Sequence, residues 1–271
     1  MEVYQTSLQV KNKADGSPIT QADQNANSVI LECLAATPYP VISEESQAAD
    51  FQTRKDWGTL WMVDPLDGTR EFIDGSGEFT VNIALIDEGR PAMGVILAPV
   101  TGTLWTGSMT GGAYKLEGAD MLFSETGLEA AAFLAHANRI KTNQDKYPDS
   151  PHEVIIGVSR SHKEQNTQAL IRKIADRYKE VRIGQMGSSL KFCEMAEGKM
   201  SIYPRCTPIF EWDTAAGHAI LHAAGGEVYN LDNYKPLEYN KPDLRSKPFI
   251  AFSTRPESDR FFAEFPLQVG I

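Results

Sequence analysis

Trp61-Met62-Val63-Asp64-Pro65-Leu66-Asp67-Gly68-Thr69-Arg70-Glu71-Phe72-Ile73 is the stretch on which the reading of this chain turns. Leu60 to Val63 are apolar and read as a buried strand ending on Asp64. Pro65 has no N–H to donate and a fixed φ, so it is expected to stop that strand. Asp67 follows close behind, and Gly68-Thr69 opens a helix. A strand end thereby brings two carboxylates and a row of free backbone N–H groups to one place. Hard cations take oxygen ligands and phosphates sit at helix N-termini, so the stretch points to metal-assisted phosphate chemistry. The same Asp-Pro and Asp-Gly dipeptides also suit a plain turn. An aspartyl-phosphate mechanism is disfavoured: it uses D-x-D, whereas here the spacing is wider and a proline separates the pair.

At 271 residues, 42% hydrophobic and 23% charged, the chain can bury a large core as one domain or two. A net charge of −10 without any Lys/Arg-rich run argues against a nucleic-acid polymer as partner. An anionic small molecule remains compatible, because a bound divalent cation inverts the local field. Cys33, Cys193 and Cys206 have no paired spacing and read as small core residues in a reducing compartment. No apolar run approaches the ~20 residues of a membrane span, and no signal peptide precedes the first polar stretch. A cytoplasmic location without a transmembrane segment is expected.

Working outward, Lys11 to Pro18 is a loop or tight hairpin by its Asp-Gly and Ser-Pro. Thr20 followed by Asp23 predicts an N-cap and a helix from about Gln21 to Ala36, so Asp23 reads first as a capping carboxylate. Tyr39 to Ile42 predicts a strand ending on Ser43-Glu44-Glu45. Two adjacent glutamates suit a solvated turn unless they converge with Asp64 and Asp67. Downstream, Glu78 to Asp87 alternates, with Phe79, Val81, Ile83 and Leu85 on one face. Ala92 to Ala98, Gly102 to Thr106 and Ala113 to Leu116 continue an antiparallel meander. Ala130 to Ala137 fits a helix or a poorly patterned strand.

From Val154 strands and helices alternate: strand to Ser159, helix Glu164 to Tyr178, strand Val181 to Met186, helix Ser188 to Ala196, strand Met200 to Tyr203. A helix from Thr214 to Ala224, strands near Glu227 to Tyr229 and Phe249 to Phe252, and a helix from Glu257 to Phe265 complete the pattern. The expectation is one domain, 1–271, in two halves: a metal-binding α+β half, 1–138, and a substrate-selecting α/β half, 139–271.

Glu211-Trp212-Asp213-Thr214 is the second acidic candidate, although Asp213 alone suits a helix cap. His218 and His222 have metal-like spacing, but no glutamate follows His218 and the neighbours are apolar, which argues against zinc. Ser188-Ser189-Leu190-Lys191 matches the S-x-x-K of serine β-lactamases without its S-D-N or K-T-G companions. Its better reading is an anion site of hydroxyls, N–H groups and a lysine in a first helical turn. Ser159-Arg160-Ser161-His162 offers hydroxyls, a cation and an imidazole, or simply a polar strand-to-helix loop.

Together, Lys13-x-Asp15-Gly16-Ser17-Pro18-x-Thr20-x-Ala22-Asp23, Ser43-Glu44-Glu45, Asp64-Pro65-Leu66-Asp67-Gly68-Thr69 and Trp212-Asp213-Thr214-Ala215-Ala216-Gly217 resemble the motif set of the inositol monophosphatase superfamily. Arg70-Glu71-Phe72-Ile73, Gly77 to Ile86 and Gly187 to Cys193 look more like its bacterial 3'(2'),5'-bisphosphate nucleotidase branch than like inositol phosphatases. The resemblance covers nearly the whole chain. It implies an α+β fold, the layered αβαβα sandwich of the inositol monophosphatase / fructose-1,6-bisphosphatase type. It also implies Mg2+, as two or three ions, held by Glu44, Asp64, the Leu66 carbonyl, Asp67 and Asp213. That donor set agrees with the preference of Mg2+ for carboxylate and carbonyl oxygen.

By the same resemblance, Thr69 with Glu44 would orient the attacking water, and Asp23 would act through a further metal site. The Gly68 and Thr69 amides, beside Glu44, Leu66, Asp67 and Asp213, would hold the transferred phosphate. Ser161, His162, Ser188, Lys191 and Arg205 match positions that contact the nucleotide and its second phosphate. The implied reaction removes the 3'-phosphate of adenosine 3',5'-bisphosphate, giving AMP and phosphate. Its 3'-phosphorylated adenylyl sulfate counterpart is a further substrate, with a link to sulfur assimilation and inhibition by lithium. An inositol-monophosphate or sugar-phosphate phosphatase with the same metals is the alternative, and a catalytically silent nucleotide-binding protein a third reading. The resemblance admits a homodimer and peripheral association with the cytoplasmic side of the inner membrane. Two departures stand out. The family places a helix before the Lys-rich loop, and Met1 opens where it would end, so a truncated start is expected. Thr207-Pro208-Ile209-Phe210 is also more apolar than the pattern suggests, which bears on the base pocket.

Overall fold

Two β-sheets alternate with three helical layers in this structure, a computed structural model that describes residues 10–12, 18–119, 133, 135–142, 153–160 and 164–265. β1 (Val10–Asn12) and β2 (Pro18–Thr20) form an antiparallel ribbon leading into α1 (Gln21–Leu34). Thr20 and Asp23 make the expected capping box, and the helix ends two residues short of Ala36. The first sheet has seven strands in chain order: β3 (Val41–Ser43), β4 (Thr59–Asp67), β5 (Thr80–Asp87), β6 (Arg90–Ala98), β7 (Thr103–Ser108), β8 (Gly112–Leu116) and β9 (Asn138–Ile140). β3 runs parallel to β4, and each later neighbour is antiparallel, as the meander predicted. β9 straddles the expected 138/139 division and pairs with β8. Ala130 to Ala137 lies largely outside the described residues.

β10 (Glu153–Ser159), β11 (Glu180–Met186), β12 (Ile202–Arg205), β13 (Glu227–Asn230) and β14 (Phe249–Phe252) form the second sheet, in the spatial order β11-β10-β12-β14-β13. Its β11-β10-β12 side is parallel and its β12-β14-β13 side antiparallel. The other helices among the described residues are α2 (Phe51–Arg54), α3 (Thr69–Ile73), α4 (Gln165–Ala175), α5 (Leu190–Ala196), α6 (Trp212–Ala224) and α7 (Arg255–Glu264).

α6 is the central element. It packs beside α5, against β5 to β8 of the first sheet and β13 of the second. Nearly every residue from Trp212 to Leu221 is buried, as expected of a helix apolar all round. Its backbone lies close on the sheet because β6 and β7 offer glycines there. A Cβ on Gly94 would come 2.4 Å from the Ala216 carbonyl oxygen, and one on Gly107 2.7 Å from Ile220 Cα. On the far face of the first sheet, α1 packs on β4, and the Trp61 indole N–H donates to Thr37 Oγ1 just beyond that helix. Strand periodicity divides the second sheet in the same way. Phe249 and Ala251 enter the central core, while Ile250 and Phe252 meet Ile174 of α4 and Phe261 of α7 outside it. The result is the layered αβαβα sandwich.

Val81, Ile83 and Leu85 share one face of β5, as the alternation predicts, and are half-buried; the fully buried face is the opposite one, Thr80, Asn82, Ala84 and Ile86. α6 presses on that opposite face, so polar Asn82 is carried into the interior. Among the described residues no helix is long and apolar enough to cross a membrane.

Candidate active site

β4 does not stop at Asp64 but continues to Asp67. Asp64 pairs with Asn82 and Asp67 with Thr80, so three steps on β4 match two on β5. That is a β-bulge, and Pro65 falls inside it, where a missing ladder N–H costs nothing. The bulge also decides where the carboxylates point. In a regular strand, residues 64 and 67 would face opposite sides. The extra residue returns Asp67 to the face of Asp64, the same face as Asn82 and Thr80. Leu66 N–H donates to Asp64 Oδ1 at 3.0 Å, and Gly68, at φ +93°, then turns the chain into α3.

Two other elements complete the cluster. Glu44 N–H donates to the Val63 carbonyl at 3.1 Å, which extends the β3–β4 pairing and sets Glu44 beside Asp64. Asp213 stands in the first turn of α6, which starts at Trp212 with Glu211 as N-cap; it is therefore not a cap itself. Its Oδ2 accepts from Phe210 N–H at 2.9 Å. One carboxylate oxygen from each of Glu44, Asp64 and Asp213 lies within 4.8 Å of the others. Burial pushes the Asp64 carboxyl well above the usual range, and the charges of Glu44, Asp67 and Asp213 push it further. Asp213 is pushed well up in the same way, by burial and then by Asp67 and Glu44. Such mutual repulsion is what a divalent cation relieves, and an all-oxygen donor set suits Mg2+.

Asp67 lines the same cavity, and two partners that the sequence reading missed fix its orientation. Its Oδ2 accepts from Ser189 Oγ at 2.7 Å and from Asn82 Nδ2 at 3.3 Å, while Asn82 Nδ2 also donates to Ser189 Oγ at 2.8 Å. Burial raises the Asp67 pKa; Ser189, Lys191 and Asn82 pull against it without cancelling it. Asp23 serves twice. Buried, it accepts from Thr20 N–H at 2.7 Å, and its Oδ1 is 3.3 Å from the Thr69 hydroxyl. That hydroxyl is also 3.4 Å from the Leu66 carbonyl.

A cavity of about 540 Å3 opens over Glu44, Asp64, Leu66, Asp67 and Asp213, and Gly68, Thr69, Ser188, Lys191 and Arg205 line it with them, while Asp23 stands behind Thr69 and outside the lining. α5 begins at Leu190 rather than Ser188, which adopts φ +43° and keeps a buried hydroxyl without a hydrogen-bond partner. Lys191 Nζ donates to the carbonyls of Ser188 at 2.5 Å and Met186 at 3.2 Å, which leaves one of its three donors for an anion. Burial works against the Arg205 charge, but Tyr203, Asp213 and Asp67 outweigh it and hold its pKa above the ordinary value. Ser161 and His162 lie outside the described residues. Arg160, just before them, makes a forked pair with Glu78 at 2.9 and 2.6 Å. His218 and His222 both engage Glu227 and hold no place in the cavity.

Layered sheets and helices with a buried carboxylate cluster at their centre have a family counterpart. The chain belongs to the inositol monophosphatase family, whose model matches residues 1–264. Within it, the chain is 40% identical over 243 residues to the 3'(2'),5'-bisphosphate nucleotidase CysQ of Escherichia coli (strain K12), spanning 88% of this chain and 87% of that protein. The crystal structure of CysQ from Bacteroides thetaiotaomicron matches with a TM-score of 0.80 at 41% identity, over 94% of this chain and 91% of that one. A staphylococcal inositol monophosphatase-1, in a LiCl-soaked inhibitory complex, shares the fold at a TM-score of 0.70 and 15% identity, over 97% and 87% of the two chains.

Proposed function

We propose that this protein is a magnesium-dependent 3'(2'),5'-bisphosphate nucleotidase that removes the 3'-phosphate of adenosine 3',5'-bisphosphate, giving AMP and phosphate. The observation that carries this reading is the convergence of Glu44, Asp64 and Asp213 within 4.8 Å, in a chain 40% identical to CysQ nucleotidases. Magnesium, when bound, supplies the Lewis acidity that activates water and offsets charge on the phosphoryl group. Glu44, Asp64, the Leu66 carbonyl, Asp67 and Asp213 hold two or three such ions. Thr69, whose hydroxyl Asp23 anchors, orients the attacking water together with Glu44. The Gly68 and Thr69 N–H groups hold the transferred phosphate for in-line displacement, so no side chain acts as a nucleophile. Lys191, Arg205 and Ser188, with Ser161 and His162, receive the nucleotide and its second phosphate.

In this reading the 3'-phosphorylated adenylyl sulfate is a second substrate, lithium inhibits, and the enzyme works in the cytoplasm beside sulfur assimilation. The chain acts as a single domain in two halves, one binding metal and one selecting substrate. Magnesium-dependent phosphate release from adenosine 3',5'-bisphosphate, compared with inositol 1-phosphate, is the test. Preference for the nucleotide is expected. The reverse preference would make the protein an inositol- or sugar-phosphate phosphatase with the same metal site.

A further inference from the structure

Glu78 stands between α3 and β5, and its carboxylate reaches across to the other half of the chain. Oε2 accepts the Gly187 N–H at 2.7 Å, and the Arg160 guanidinium forks onto both oxygens at 2.9 and 2.6 Å. Burial works against the Glu78 charge, but Arg160, the Gly187 N–H and Lys191 outweigh it and hold its pKa below the ordinary value. Forked, charge-assisted bonds of this kind fix geometry better than neutral ones do. Arg160 is 46% exposed, so as a surface ion pair the contact stabilises little. Its consequence lies in the backbone that Glu78 holds.

Gly187 leads into Ser188, whose φ of +43° is strained for a residue with a side chain and whose buried hydroxyl has no partner. Such a conformation persists only where the surroundings impose it. Here they do so from two sides. From α5, Lys191 Nζ donates to the carbonyls of Ser188 and Met186, and from the first half Glu78 takes the N–H between them. The seam is also tight. A Cβ on Gly187 would come 2.8 Å from the Glu78 carbonyl oxygen, and one on Gly68 would come 3.2 Å from that oxygen and 3.3 Å from Ser188 Cβ. Gly68, Glu78 and the Ser188 turn therefore lie against one another.

We propose that Glu78 is a positioning residue for the second phosphate of the substrate: without touching substrate, it sets the Ser188 turn at a fixed distance from Gly68 and the metal cluster. The inference rests on the nucleotidase reading above, in which Ser188 helps to receive the second phosphate while Gly68 and Thr69 hold the one transferred. A turn released from Glu78 changes the span between the two phosphate sites and leaves the metal ligands in place.

The test measures kcat and KM separately, in magnesium, for adenosine 3',5'-bisphosphate and for adenosine 3'-monophosphate, which lacks the second phosphate. Wild type is compared with Glu78→Ala, Glu78→Gln and Gly187→Ala. Glu78→Ala should raise KM for the bisphosphate about tenfold with kcat within about twofold, and leave both constants for the monophosphate within about twofold. Glu78→Gln keeps an oxygen for the Gly187 N–H and should recover most of the loss. Gly187→Ala, whose methyl group drives the turn off the Glu78 carbonyl, should reproduce the Glu78→Ala pattern. Equal effects on the two substrates, or no effect on either, overturn the proposal, and so does a Gln variant as impaired as the Ala one. A wild type that does not prefer the bisphosphate fails at an earlier point, since it contradicts the nucleotidase reading itself.

Discussion

At the residue scale, the least conspicuous contacts in the site are those that hold Asp67. Ser189 and Asn82 occupy its Oδ2, at 2.7 and 3.3 Å, and so leave Oδ1 for other work. Partners of this kind commonly contribute ten- to a hundredfold to metal affinity. Ser189→Ala should therefore weaken Mg2+ binding about tenfold, read by calorimetry on the free enzyme, with little change in melting temperature. Unchanged affinity would reduce Ser189 to a packing residue. The carboxylates stood out in the sequence only as a set: each alone suited a turn or a cap, and it was the resemblance of the whole motif set that joined Glu44, Asp64 and Asp213, which the structure brings within 4.8 Å of one another. Asn82 and Ser189 did not stand out, because an amide or hydroxyl acquires a role only once the register says what faces it. Of the adjacent serines, the family resemblance singles out Ser188, whereas it is Ser189 whose hydroxyl donates to Asp67.

Among the elements, β4 and α6 deliver the site, and both depend on departures from regular structure. The sequence located the apolar run and the turn after it, and read Pro65 as a stop. It is a bulge, and the difference matters because only a bulge puts Asp64 and Asp67 on one face. Two-residue alternation carries no mark of such a slip, so this was not readable from β4 alone. The seating of α6 rests on Gly94, where a methyl group would meet the Ala216 carbonyl oxygen at 2.4 Å. Gly94→Ala should force helix and sheet apart, lowering stability by about 1–3 kcal/mol in denaturant titration. Because Asp213 rides on the first turn of that helix, Mg2+ affinity should fall with it. Normal stability together with normal affinity would show that α6 is not held at the spacing described.

Across the whole molecule, the electrostatic strain of the fold is concentrated where the end of β4 meets the start of α6. The carboxyls of Asp64, Asp67 and Asp213 are all pushed above the ordinary range, chiefly by burial. A carboxyl raised in the folded state keeps its proton where the unfolded chain, near pH 4, has lost it. Metal-free protein should therefore lose stability as pH rises from about 4 through those raised values, and saturating Mg2+ should flatten the slope. Melting curves with EDTA and with Mg2+ over that range check this; parallel slopes would contradict it. Glu227 acts with the opposite sign. Burial raises its pKa, but hydrogen bonds to His218 and His222 outweigh burial and leave it well below the usual range. Its contribution is present above pH ~4.3 and fades only on acidification, so the two effects separate on the pH axis.

The account as a whole rests on the claim that the Glu44, Asp64 and Asp213 cluster holds the magnesium that drives ester hydrolysis. Asp64→Asn is the sharpest probe, since it keeps the shape of the side chain, removes one charge and relieves the repulsion in the metal-free fold. Phosphate release from adenosine 3',5'-bisphosphate should be measured across a Mg2+ titration for both proteins. Wild type should show saturable activation, and the variant a loss of at least about a thousandfold at every magnesium concentration. Near-normal turnover by Asp64→Asn in magnesium would contradict the claim.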